Sequence, residues 1–136
     1  MGSRTKSRRK AAEILYEADI RTNSITETLH RAQTQGVTQY NEFSVQLIEG
    51  VQSHLQSIDD IINTYSEGWK IERMPSLDRA LARIGVFELL FRDDIPDEAT
   101  ISEIVSLASE MSTEQSPQFL NGLLAKIASV RGRIVL

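Results

Sequence analysis

Only four positions between Leu77 and Phe91 are polar: Asp78, Arg79, Arg83 and Glu88. Pro75-Ser76 marks a helix start before this segment, and Asp93-Asp94-Ile95-Pro96 marks a turn after it. A helix that is apolar nearly all round cannot lie on a surface, because some apolar face would then stay in water. The rest of the chain must therefore build a shell around residues 75–92. Gly85, inside this helix, costs about 1 kcal/mol relative to Ala. Its presence predicts a neighbouring helix packed close against that position.

The flanking segments carry the one-sided patterns such a shell needs. Ala11, Ile14, Leu15 and Ala18 form an i, i+3, i+4, i+7 stripe, with Arg9 and Glu13 four apart on its outer side. A weaker helix is predicted from Ser24, as N-cap, to Thr34, and Gln35-Gly36-Val37-Thr38 breaks it. Ile48, Val51, Leu55, Ile58, Ile62 and Tyr65 alternate spacings of three and four, which predicts one long helix from Asn41 to Tyr65 with Gly68 as its C-cap. Asp97–Met111 turns Ile101, Ile104, Val105 and Ala108 inward. Ser116, as N-cap, and Pro117 open a last helix to Val130 that buries Leu120, Leu123, Leu124 and Ile127. No segment pairs two-residue alternation with hairpin turn chemistry. The expected fold is all-α: a single domain over residues 1–136 with about six or seven helices. Residues 11–67 and 68–136 form two helical halves that share one core.

Charge is distributed unevenly. Arg4, Lys6, Arg8, Arg9 and Lys10 place five cations in the first ten residues, with no acid among them. Removing these five from the 15 Lys and Arg leaves 10 against 19 acidic residues, so residues 11–136 sum to −9 in a chain of −4. Residues 1–10 read as a basic, flexible arm. It is either the footprint of a polyanion, whose counterions Lys and Arg displace, or an ordinary disordered start.

Several function classes drop out. Without cysteine there is no disulfide, thiol nucleophile or common structural zinc site. His30 and His54 lack the spacing of metal ligands, so no metal or other cofactor is expected. Phosphate-binding glycine loops and the G-x-S-x-G elbow are absent, and no enzyme is expected. No apolar run approaches the roughly 18 residues of a membrane span, and the basic start lacks the apolar stretch of a secretory signal. A binding module remains. Phe119 lies in the first turn after Ser116-Pro117, where unpaired N–H groups and the helix dipole favour an anion. Beside such a terminus it is either a platform for an unpaired base or a core residue.

Trp69 to Arg83 reads W-K-I-E-R-M-P-S-L-D-R-A-L-A-R, and Ser116 to Leu124 reads S-P-Q-F-L-N-G-L-L. These resemble the W-x-[LI]-x-R-[LMI]-x-x-x-D-R-A-[IL]-x-R segment and the S-x-x-F-V-N-G-V-L hallmark of the NusB transcription antitermination family. Ser7 to Tyr16 is similar to that family's basic opening helix. The resemblance is specific over residues 68–130 and loose over residues 20–45.

It implies two three-helix subdomains and a bacterial cytoplasmic protein. It also implies binding to boxA, a short single-stranded element of nascent ribosomal RNA transcripts, together with the ribosomal protein NusE. The read-through of terminators by RNA polymerase with other Nus factors would follow. By the same resemblance, Arg4, Lys6, Arg8, Arg9, Tyr16, Gln115 and Phe119 are the RNA-binding residues, and Glu72 and Asp78 face RNA or NusE. Some family members dimerise, so a homodimer that masks the RNA surface is the alternative. A related module fronts certain RNA cytosine methyltransferases, but these 136 residues hold no nucleotide-binding sheet. Ser102, Ala82 and Glu110-Met111 depart from the family pattern, the last leaving less positive charge near the RNA path.

Overall fold

Helix α5 (Ser76–Phe91) runs through the middle of the molecule and touches α1 (Ser3–Arg21), α3 (Glu42–Ser53), α4 (Leu55–Tyr65), α6 (Asp97–Met111) and α7 (Ser116–Ser129). Helix α2 (Ile25–Gln35) packs on α1 and α3. The computed structural model describes residues 2–36 and 39–136, and among them all regular structure is helical. Gly36 follows α2, whereas Val37 and Thr38 of the expected break lie outside the described residues.

The all-round apolar pattern of α5 has the expected consequence. Leu81, Ala82, Ile84 and Val86 are fully buried, and one apolar cluster joins residues from both halves of the chain. Gly85 is needed for close packing: a Cβ there would lie 2.8 and 2.9 Å from the two terminal methyls of Leu124 on α7. Helices α2 and α3 are capped by side chains. Ser24 accepts the Glu27 N–H at 3.0 Å, and Asn41 accepts the Ser44 N–H at 2.9 Å.

Four expectations are corrected. The predicted helix from Asn41 to Tyr65 is two helices that meet at His54 (φ −119°, ψ 22°). The apolar seam continues across the break, since Ile48, Val51, Ile58 and Ile62 are all buried, so periodicity alone carries no sign of it. The His54 ring stacks on Phe91 at 4.0 Å, and Gly50 lies directly under the Phe87 ring. Both segments thereby keep their seams on α5. Gly68 is not the C-cap; α4 ends at Tyr65, and Gly68 supplies a left-handed turn (φ +96°) before Trp69. Ser116 is already helical, and its buried hydroxyl is used elsewhere. Finally, residues 3–10 are not a flexible arm but the opening turns of α1.

Candidate nucleic-acid interface

The start of α1 is fastened on three sides. Its second turn meets α3: Ser44 Oγ donates to the Ser7 carbonyl at 3.0 Å, and Asn41 Nδ2 donates to Ser7 Oγ at 2.8 Å. Towards α5, Arg8 makes a two-pronged pair with Glu88, Nε to Oε2 and Nη2 to Oε1, both at 2.7 Å. Thr100 Oγ1 of α6 also donates to Glu88, at 2.8 Å. Arg8 is 3% exposed and Glu88 0%. Towards α6, the Thr5 hydroxyl donates to Glu103, and Arg9 pairs with Glu110 instead of the local Glu13.

Arg8 is therefore corrected as an RNA contact. Its guanidinium is enclosed and neutralised, so no phosphate can reach it without unfolding the start of α1. The other cations differ in availability. Lys6 is exposed and in no ion pair among the described residues. Lys10 donates to the Gln39 carbonyl at 2.8 Å. Arg4 lies 3.7 Å from Asp94 and 4.8 Å over the Phe43 ring, a ring that Arg8 and Arg92 also approach. Asp94 belongs mainly to Arg92, whose Nε and Nη2 donate to it at 2.9 Å each. Those hydrogen bonds hold the Asp94 carboxyl down at about 2.

Asp78 is corrected too. It is fully buried in the first turn of α5, where it accepts hydrogen bonds from Ser112 and, at 2.9 Å, from Ser116. Ser116 Oγ in turn accepts the Thr113 N–H at 3.1 Å. Asp78 therefore builds the turn between α6 and α7 and aims the start of α7; it presents nothing to a partner. Glu72 is exposed on a short 3-10 turn, Ile71–Arg73.

At the start of α7 the backbone offers less than expected. Ser116 N–H donates to Thr113, Pro117 has no N–H, and Phe119 N–H donates to Gln115. Of these first positions only the Gln118 N–H is left to face an anion. The side chains offer more. Gln115, Gln118, Phe119, Gly122 and Lys126 recur at helical spacing and line one open groove of about 490 Å³, closed on the far side by Tyr65 and Glu67. Phe119 is half-buried, with its ring held edge-on by Trp69 at 5.1 Å between centroids. Gly122 has open space where a Cβ would project, so it keeps the groove wide and serves no helix contact.

A sequence model described as the NusB family matches residues 5–129. The chain belongs to the NusB family. The transcription antitermination protein NusB of Thermobifida fusca is 48% identical over 126 residues, spanning 93% of this chain and 89% of its own. That of Pseudarthrobacter chlorophenolicus is 43% identical over 131 residues, or 96% of each. The solved NusB of T. maritima superposes with a TM-score of 0.82 at 31% identity, covering 94% of this chain and 92% of that one. A chain from the crystal structure of antitermination factors NusB and NusE in complex with dsRNA gives a TM-score of 0.82 at 25% identity, over 93% and 96%.

Within this NusB frame the structure brings Gln115 and Phe119 together in one groove. Arg9 and Tyr16, seven residues apart, share an outward stripe of α1, and Tyr16 is 38% exposed. Sequence reasoning missed Tyr65, Gln118 and Lys126. Lys126 was findable: Gln115, Phe119, Gly122 and Lys126 step by four, three and four, one stripe of a helix. Tyr65 lay hidden as the end of an apolar seam.

Proposed function

We propose that the protein is a transcription antitermination factor that binds single-stranded RNA together with NusE. The observation that carries the reading is the α7 groove, where Phe119 stands among Gln115, Gln118, Tyr65 and Lys126. A single strand exposes base faces and edges, and proteins hold it by stacking and backbone charge. Phe119 supplies the face, the two amides reach base edges, and Lys126 takes a phosphate. Lys6, Arg9 and Tyr16 extend the surface along α1, and Arg4 is loosely enough held to join it. Membership in a family with a solved NusB–NusE–dsRNA complex supports RNA and NusE as partners. The finer reading is a boxA-type element of nascent ribosomal RNA, with Glu72 facing NusE and RNA polymerase reading on through terminators.

The test is fluorescence anisotropy of a boxA-type RNA at two salt concentrations, with and without NusE. Tight binding that needs NusE and fails with a scrambled RNA is expected. Equal weak binding of any RNA would reduce the protein to a basic surface. The exposed pair Tyr16 and Ile20 (56%), four apart on α1, favours a second reading, a homodimer that covers part of the RNA surface. Light scattering with and without RNA separates the two.

A further inference from the structure

We propose that Glu110 competes with RNA phosphate for Arg9, so that RNA binding at α1 exchanges one carboxylate for one phosphate. The inference rests on the RNA-binding reading above. Glu110 stands in the last turn of α6, which carries no basic residue. A carboxylate there opposes the helix dipole, so the helix itself gives no reason for an acid at this place. The only ion partner of Glu110 among the described residues is Arg9, across from it on α1.

The pair is open where its neighbour is closed. Arg9 and Glu110 are 35% and 42% exposed, whereas Arg8 and Glu88 are 3% and 0%. Water and a phosphate can therefore reach the Arg9 fork without unfolding α1. Helix α1 is separately registered on α6 by Thr5 and Glu103, seven residues before Glu110, so the exchange leaves the helix in place. Once displaced, Glu110 remains beside the strand as a like charge. It weakens every RNA at this point. The penalty is set by the phosphate contact and not by the base sequence, so it is the same for any RNA that makes this contact. RNA that also fills the α7 groove keeps its stacking. Glu110 thus sets the affinity of the α1 surface by competition, and only an RNA that also fills the α7 groove has stacking to offset it.

The test measures a short fluorescent oligouridylate and the boxA-type RNA with NusE. The proteins are wild type, Glu110→Gln, Arg9→Gln and the double variant, with Glu27→Gln as a matched loss of one distant negative charge. Circular dichroism checks that each is folded. We expect Glu110→Gln to bind oligouridylate about two- to fivefold tighter, the modest range an exposed pair allows. The gain should be of similar size for boxA-type RNA with NusE, absent in the Arg9→Gln background, and larger than that from Glu27→Gln. Phenylglyoxal should modify Arg9 faster in Glu110→Gln than in wild type. A gain that persists without Arg9, an unchanged affinity, or equal modification rates would overturn the exchange. Failure of the wild type to bind either RNA at low salt would instead overturn the RNA reading and this inference with it.

Discussion

Four of the five cations at the start of α1 already face an oxygen: Arg4 on Asp94, Arg8 on Glu88, Arg9 on Glu110 and Lys10 on the Gln39 carbonyl. The α7 groove is the reverse. Its ring, amides and lysine open to solvent, and Gly122 leaves room in front of them. Positive charge counted along a chain is not positive charge available at a surface. Part of the α1 charge holds the fold together, while the neutral-looking α7 stripe presents the more accessible chemistry. Adjacent residues differ in access: about 100° around one helix separates the enclosed Arg8 from the open Arg9.

The comparison breaks most sharply at Arg8. Arg8→Ala leaves Glu88 charged and buried, and should cost about 3–5 kcal/mol of stability. Urea denaturation measures it, and a loss below about 1 kcal/mol would mean the pair is not enclosed in solution. Next comes Phe119→Ala, expected to weaken boxA-type RNA by roughly 1–3 kcal/mol through lost stacking. Unchanged affinity in the folded variant would remove the platform. Gly122→Ala sharpens the contrast because its two effects have opposite signs. A helical Gly replaced by Ala gains up to about 1 kcal/mol of stability, while the new methyl narrows the groove and weakens RNA. Thermal denaturation and anisotropy on one sample read both.

The smallest effect separates the two arginines at Asp94. Its folded-state pKa of about 2 lies below the ordinary 3.8. The stabilisation is therefore complete above the ordinary value and is lost as pH falls through about 2. Carboxyl carbon NMR should find that Arg92→Gln returns Asp94 towards the ordinary range, whereas Arg4→Gln moves it little. The opposite order would assign Asp94 to Arg4.

Much of this was legible in the chain. The all-round apolar run of α5 announced its central place, and Gly85 announced the close contact with Leu124. The polar contacts were hidden because their partners lie far away in sequence. Asp78 and Glu88 read as polar interruptions of α5, yet they meet Ser116, 38 residues on, and Arg8, 80 residues back. No local pattern signals such partners. The bend at His54 escaped because buried residues keep their spacing on both sides of it. Phe119 reads in sequence as either platform or core, and in the fold it is half-buried. Its neighbour Trp69 comes from another element, and only tertiary packing brings the two rings together.

The 80-residue separation of Arg8 and Glu88 also matters for a chain as it is made. At about 5–20 residues per second, Arg8 is made roughly 4–16 s before its acid. During that interval α1, α3 and α4 have no α5 to pack on, and their seams stay uncovered. The nascent first half therefore carries its full positive charge and its apolar stripes together. Residues 76–91 then cover those stripes and supply Glu88, the partner of Arg8.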